Sequence, residues 1–244
     1  MLRGVKTLTL ANPKRYSALS IPVLQYLLDS VEASQTDGTR VLIIESNSAP
    51  KAFSTGHDLT TLDNSSQIQH TFNLCEEVML LMSSSVVPII SKVAGIATGA
   101  GLQLVAESHL AFSTPSSTFQ TPGSSLGLFC HTPSVPLISG VCHKHAMELL
   151  LTAEPISASK AERIGLINGV FEEELLDKNV HRIAQNIASK SAESIREGLE
   201  VLNGSKNIGK YVAATRGMIR GCSSESFTEG RGSFMEKRPP VFHN

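Results

Sequence analysis

Val86-Val87-Pro88-Ile89-Ile90-Ser91-Lys92-Val93-Ala94-Gly95-Ile96-Ala97-Thr98-Gly99-Ala100-Gly101-Leu102-Gln103-Leu104-Val105-Ala106-Glu107-Ser108-His109-Leu110-Ala111-Phe112 is the stretch that decides the fold. Val86 to Val93 is a β-branched apolar run, the pattern of a buried strand. Glycine and alanine crowd the turn from Ala94 to Gly101. Leu102, Leu104, Val105, Ala106 and Leu110 then give the rest a helix's apolar bulk. Side chains this small let a second backbone or a ligand approach the main chain. The first amides of a helix lack internal partners and carry the positive end of its dipole, so such a joint can stabilise a negative oxygen. It can equally be a tight turn with close helix–strand packing.

Upstream lies a second joint of the same type. The apolar strand Arg40 to Glu45 precedes Lys51-Ala52-Phe53-Ser54-Thr55-Gly56-His57-Asp58-Leu59. Val5 to Leu10 alternates as a first strand. Ser20 with Pro22 opens a helix carrying Val23, Leu24, Leu27, Leu28 and Val31, closed by Asp37-Gly38. Ser66 to Ser84 has Ile68, Phe72, Cys75, Val78, Met79 and Met82 on one stripe. His109 to Ser113 and Thr118 to Gln120 add strands. Strands alternating with helices argue for an α/β layer with parallel strands. Thr121 to Gly127, with Thr132-Pro133 beyond it, reads as a long irregular region. Helical patterns then follow over Ala146 to Thr152, Ser157 to Ile164, Glu173 to Ser189, Ala192 to Leu202, and from Lys210 towards Phe234. Gly165 is a natural helix stop. The change of character near residue 190 separates an α/β core from a helical section.

The 244 residues are 41% apolar and 18% charged, with a formal net charge of −1. That balance supports a sizeable core and offers no basic field for nucleic acid or for an anionic membrane surface. No apolar run approaches the roughly 20 residues of a membrane span. Cys75, Cys130, Cys142 and Cys222 are scattered, which fits a reducing compartment better than a disulfide framework. Met1-Leu2-Arg3-Gly4-Val5-Lys6 carries no visible secretory signal or transit peptide.

The two glycine joints each present an amide after a glycine: His57 after Gly56, and Ala100 after Gly99. Two backbone donors converging on one point make an oxyanion hole. Together these stretches resemble the crotonase (enoyl-CoA hydratase/isomerase) superfamily. Asn12-Pro13-Lys14 with Ala18-Leu19 extends the resemblance along the chain. So do Phe119-Gln120-Thr121-Pro122 with Leu126-Gly127, and Glu229-Gly230 with Phe234-Met235-Glu236-Lys237-Arg238. The resemblance implies an α/β fold: a ββα spiral core over residues 1–190 holding an acyl-CoA site, and a C-terminal helical trimerisation section over 191–244. It implies a coenzyme A thioester as ligand, with no separate cofactor and no metal. It implies a homotrimer or hexamer, fatty-acid metabolism and a mitochondrial location, otherwise a cytoplasmic one. It assigns the oxyanion donors to the amides of His57 and Ala100. The thioester contacts fall on Lys14, Arg15, Tyr16, Thr55, Asp58, Leu59 and Gly99, and the contacts to the nucleotide end on Phe234 and Lys237.

The departures from that family bear on mechanism. Its hydratases activate water with two glutamates, and this chain has Gln103 and Gly123 at those positions. An amide or a hydrogen cannot take up a proton near working pH. Glutamates installed at both positions are therefore expected to raise hydration of crotonyl-CoA. Glu107 lies one helical turn beyond Gln103, roughly 6 Å along the axis, and can be a substitute base, a buried, satisfied carboxylate or an interface residue. Cys130 and His131 sit in the loop where some members keep acids. His109 replaces an aspartate common in the family. Gly123-Ser124-Ser125-Leu126-Gly127 matches the G-x-S-x-G of serine hydrolases, but Pro122 and Pro133 deny it the required strand and helix. Cys142-His143-Lys144-His145 lacks the second ligand pair of a zinc site. Two function classes follow: a lyase or isomerase acting through a thioester enolate, and a catalytically inactive acyl-CoA-binding or regulatory relative. RNA binding would need a basic helix, yet Ser66 to Ser84 has no lysine or arginine.

Overall fold

The apolar runs form strands as their composition demands, and each is followed by a shorter strand that departs for a second sheet. The structure is a computed structural model describing residues 4–62, 64–203 and 208–241, so Met1, Leu2 and Arg3 lie outside the described residues. β1 (Val5–Leu10) and α1 (Ile21–Ser34) come first. Two ββα units follow: β2 (Val41–Ser46), β3 (Ala52–Ser54), α2 (Ser65–Ser84), then β4 (Ile89–Val93), β5 (Ile96–Thr98), α3 (Ala100–Glu107). β6 (Leu110–Ser113), β7 (Thr118–Gln120) and α4 (His131–Gly140) make a third. Then come α5 (His143–Thr152), β8 (Ile156–Ser157), α6 (Ala158–Arg163), β9 (Gly169–Val170) and α7 (Glu173–Ala188). α8 (Ala192–Asn203), α9 (Ile208–Gly221) and α10 (Glu225–Glu236) end the chain.

Each unit adds one strand to each of two sheets. The first sheet runs β1-β2-β4-β6-β9, all parallel; the second runs β3-β5-β7-β8, with only β8 antiparallel. A parallel sheet is covered on both faces, which explains why Val41-Leu42-Ile43-Ile44 is apolar without alternation. Leu42 and Ile44 join the main core, with Ile89 and Val93, under α1, α2 and α3. Val41, Ile43 and Ile90 face the other way onto Leu176, Val180 and Ala184 of α7. Lys92 leaves that outer face to pair with Glu45 at 2.5 Å and Asp177 at 2.6 Å.

Several expectations need correction. The turn expected over Ala94 to Gly101 contains β5, pairing Ala97 with Phe119 and Ala52 with Ile96. Three residues are too few for a pattern to register in sequence. The strand expected from Val86 starts at Ile89, because Pro88 cannot donate to a ladder. The irregular region beyond Thr121 is a 3-10 turn, Pro122–Leu126, followed by α4. Pro133 lies in the first turn of α4, where helix amides have no partner to lose. Ser20 precedes α1 without a side-chain cap, and Gly38 turns the chain (φ +84°) only after the helix has ended at Ser34. α9 and α10 fold back onto the core: α9 packs on α2 and α4, and α10 on the Pro122–Leu126 turn.

Candidate functional site

The two joints meet. Gly56 (φ +79°) lies so close to the other turn that a Cβ there would stand 2.8 Å from the Thr98 carbonyl oxygen and 3.1 Å from the Ala100 nitrogen. Gly101 sits against Ser54, and a Cβ would run into the Ser54 carbonyl. Gly99 adopts φ +56°, ψ −121°, a conformation open in practice to glycine alone, and it turns β5 directly into α3. Ala100 is then the first helical residue, so its amide has no intrahelical partner. At the other joint Leu19 donates to the Gly56 carbonyl at 2.7 Å, pairing His57 with Leu19 across an isolated bridge. Among the described residues, neither the His57 amide nor the Ala100 amide donates to another group of the chain.

A buried set of serines fixes the first joint. Ser17 Oγ donates to the Leu10 carbonyl and bonds Ser46 and Ser48, while Ser54 Oγ donates to the Ser17 carbonyl at 2.8 Å. The Gly56 amide donates to Ser54 Oγ at 3.2 Å. This network holds Tyr16 (φ +52°) and Ser17 (φ +53°), two consecutive left-handed residues that carry side chains. Such strain persists only where its surroundings over-determine it. Thr55 completes the clasp, its amide donating to the Tyr16 carbonyl at 3.2 Å and its hydroxyl to the Arg15 carbonyl at 3.2 Å.

These elements enclose one cavity of about 790 Å³. His57, Ala100 and Gly99 line it, as do Thr55, Asp58 and Leu59. Lys14, Arg15 and Tyr16 join the wall from the turn after β1, and Phe234 and Lys237 from the end of α10. Every residue that the resemblance assigned to ligand binding thus lines this same cavity. The mouth mixes cations with exposed aromatics, Tyr16 at 48% and Phe234 at 54% exposure. α10 comes near because Gly127 and Gly230 are cut to fit: a Cβ on either would strike the backbone of Ser226 or Leu126.

Sequence reasoning missed the side chains that make the interior. Ala18, Leu62, Phe72, Leu128, Met218 and Phe227 supply its apolar wall, and Thr98, Thr132 and Ser125 its hydroxyls. Met218 and Phe227 come from the C-terminal helices, so residues on both sides of position 190 build the site. Nothing short of the tertiary fold brings them together. The His57 ring packs edge-on against Phe72, centroids 4.8 Å apart. Burial holds the ring's pKa down to about 4; the Leu19 backbone opposes that shift, though neither ring nitrogen completes a hydrogen bond. The imidazole is neutral at working pH. Asp58 is the only carboxylate on the wall among the described residues. Its Oδ1 accepts from the Thr60 amide and hydroxyl, capping a short 3-10 turn.

Of the remaining candidates, Gly123, Ser125 and Cys130 border the cavity and the others lie away from it. Gln103 is fully buried and absent from the cavity wall. Its amide lies beside the Tyr211 phenol without completing a hydrogen bond. Glu107, on the same face of α3, accepts a very short hydrogen bond from Tyr211 of α9, so it is the satisfied carboxylate and no cavity base. Burial, then the Glu107 charge, pushes the Tyr211 phenol far up. Gly123 does line the cavity, but a Cβ there would strike the Leu128 carbonyl and the Cys130 sulfur. The expectation that glutamates at 103 and 123 would supply hydration chemistry therefore fails on space: one side chain would stay outside the cavity and the other has no room. Cys130 is buried, with its thiol pushed up to about 11 by desolvation. His131 bonds the Phe129 carbonyl and packs under Gly217 of α9, away from the wall. His109 Nδ1 accepts from the Ile89 amide, a structural role. Ser125 sits in the 3-10 turn, while Asp177 and His181 lie on α7 and engage Lys92 and each other. Cys142 and His143 mark the start of α5, and among the described residues no three metal-ligating side chains gather. No described helix is long and apolar enough to cross a membrane.

Comparison with known proteins agrees in sequence and in fold. The family model described as enoyl-CoA hydratase/isomerase matches residues 2–244. The rat protein named "Enoyl-CoA hydratase domain-containing protein 3, mitochondrial" is 38% identical over 248 residues, covering 98% of this chain and 81% of the relative. The crystal structure of human enoyl coenzyme A hydratase domain-containing protein 3 superposes with a TM-score of 0.79 at 35% identity, covering 99% and 98% of the two chains. An enoyl-CoA hydratase structure from Mycobacterium smegmatis gives a TM-score of 0.80 at 33% identity, covering 99% and 96%.

Proposed function

The chain belongs to the enoyl-CoA hydratase/isomerase family, and from that premise we propose that its cavity holds an acyl-CoA thioester whose carbonyl oxygen accepts from the His57 and Ala100 amides. One observation carries the reading: two turns far apart in sequence pack on each other so that both amides, each without a partner in the chain, border one cavity. Backbone donors at a helix N-terminus stabilise the negative oxygen of a thioester enolate. Lys14, Arg15 and Lys237 meet the phosphates of coenzyme A, and Tyr16 and Phe234 offer flat surfaces to its adenine. Thr55, Asp58, Leu59 and Gly99 border the thioester arm.

The site works without the hydratase glutamate pair, since Gln103 and Gly123 stand at those positions. No glutamate lines the cavity among the described residues. The chain accordingly stabilises an enolate without activating water. The second reading, a catalytically inactive acyl-CoA-binding relative, rests on the same observation, because Asp58, the one wall carboxylate among the described residues, is engaged by Thr60. A location in mitochondria and a part in fatty-acid metabolism come by resemblance. Assembly as a homotrimer or hexamer through the C-terminal helices is supported by α8, which buries none of its own residues and exposes Val201 (78%) and Leu202 (65%).

The test is a panel of acyl-CoA thioesters titrated against the native chain, with products read by mass spectrometry and oligomer mass by light scattering. Binding in the micromolar range is expected, with crotonyl-CoA hydrated far more slowly than the roughly 10 s⁻¹ of a typical enzyme. Hydration at that rate overturns the account of the missing glutamates. Absence of any binding overturns the site itself.

A further inference from the structure

Among the described residues, four other than glycine have a left-handed backbone: Tyr16, Ser17, Ala153 and Lys237. Tyr16 and Lys237 both line the cavity, one from the turn after β1 and one from the end of α10. Such a backbone is costly for a residue with a Cβ, and it persists only where neighbours over-determine it. The Ser17 network does this for Tyr16. Lys237 stands directly after α10 at φ +56° and ψ 40°, where helices usually place glycine.

The chain just beyond Lys237 forms a clasp. The Arg238 guanidinium donates to both Glu229 oxygens, at 2.6 and 2.9 Å, and through Nε to Glu236 at 2.6 Å. The Val241 amide returns to the same Glu229 carboxylate at 2.8 Å, beyond Pro239 and Pro240. The Arg238 amide donates to the Ser233 carbonyl at 3.0 Å and closes the helix end. Further up α10, Arg231 Nε donates to the Leu59 carbonyl at 3.1 Å, which ties the helix to another segment of the wall. Exposed ion pairs ordinarily contribute little, but bidentate geometry and a network are the conditions under which they matter. Neither Glu229 nor Arg238 borders the cavity; Phe234 and Lys237, which lie between them in sequence, both do.

On the reading that this cavity holds an acyl-CoA thioester, we propose that Glu229 and Arg238 are positioning residues for its nucleotide end: their bidentate pair holds Lys237 in its left-handed turn, with the ammonium towards the phosphates of coenzyme A. A backbone turn that is already fixed reduces the ordering left for the binding step. Charge alone makes the opposite demand. A carboxylate near the mouth repels phosphates, so neutralising Glu229 would tighten binding if it acted only through its field. As the anchor of Lys237, its loss weakens binding instead.

The experiment is an equilibrium titration of the full chain, native and variant, with butyryl-CoA and with butyryl-pantetheine, which has the thioester arm and no nucleotide or phosphate. The native chain should bind butyryl-CoA about 10-fold more tightly, or better. Glu229→Gln should lose about 5-fold in butyryl-CoA affinity and leave butyryl-pantetheine unchanged. Arg238→Lys, which keeps the charge and loses the fork, should do the same. Lys237→Met should weaken butyryl-CoA at least as much, and adding Glu229→Gln to it should cost nothing further. Tighter or unchanged butyryl-CoA binding in both folded clasp variants overturns the inference. So does an equal loss for the two ligands, which marks a general support of the cavity. A native chain that binds both ligands alike overturns it while the thioester site stands. Binding of neither removes the site and the inference together. Should Glu229→Gln not fold, Arg238→Lys decides by the same readout.

Discussion

Helix α3 passes from the cavity into the protein interior, and its two ends treat polarity in opposite ways. At the first turn the polar group is a main-chain amide, presented by Ala100 beside Gly56, while the Gly99 amide is spent on the Gln120 carbonyl. One turn further on the polar groups are side chains, Gln103 and Glu107, turned away from the cavity towards Tyr211 of α9. The first arrangement survives almost any substitution, since every residue except proline carries an amide. The second depends on side-chain identity. On the proposed reading, a chain can therefore lose an acid–base pair and keep its grip on a thioester, because the amide end of α3 depends on sequence far less than the side-chain end does.

The sharpest way to break the contrast is Ala100→Pro. Proline is well tolerated at the first position of a helix, so α3 is retained while the amide is deleted. Turnover of any thioester that reacts should fall about 100-fold or more, with Ala100→Ser unaffected. Unchanged turnover in a folded Ala100→Pro chain would leave the amide end without a function.

The next effect belongs to His57. The ring's pKa is held down at about 4 against an ordinary 6.5, because burial penalises its charged form. Between those values the unfolded chain binds a proton that the folded chain refuses. Stability is then full above about pH 6.5 and declines as pH falls towards 4, by up to about 3 kcal/mol. Asp58, next in sequence, is held by Thr60. Denaturant midpoints at pH 7 and pH 5 should differ more for the native chain than for His57→Phe. Equal differences would put the ring in water.

Gly101→Ala probes how the two joints are locked. Its Cβ would strike the Ser54 carbonyl, which the Ser17 network holds in place, so about 2 kcal/mol of stability should be lost. Gly198→Ala on exposed α8 meets nothing within 4 Å and should be neutral or slightly stabilising by thermal melt. Equal melts for the two variants would mean that the joints do not touch.

The sequence was most legible where backbone chemistry dominates. Strands such as β2, and the glycines at 56 and 99, announce themselves because few residues tolerate those conformations or that burial. The gathered wall of His57, Ala100, Lys14 and Lys237 followed from motif order. What stayed hidden was decided by packing between distant segments. Nothing local tells that Gln103 turns from the cavity, that Gly123 is walled in by Leu128 and Cys130, or that Ser17 and Ser54 bond to each other. β5, β8 and β9 are too short to leave a period. α4 was masked by its prolines, although Pro133 sits where a helix accepts one.

The smallest effect comes from the far end of α3. Tyr211→Phe removes the hydroxyl that Glu107 accepts from and leaves the ring's packing in place. A buried acceptor deprived of one donor costs about 1 kcal/mol or somewhat more, and Glu107 keeps its remaining interactions. The loss should appear as a lower denaturant midpoint, concentrated in the C-terminal helices, because this bond ties α9 to α3. Thioester affinity should move less than about twofold, since neither Tyr211 nor Glu107 borders the cavity. A large loss of affinity with little loss of stability would mean that the two ends of α3 are coupled, and that the buried side chains tune the amides at the other end.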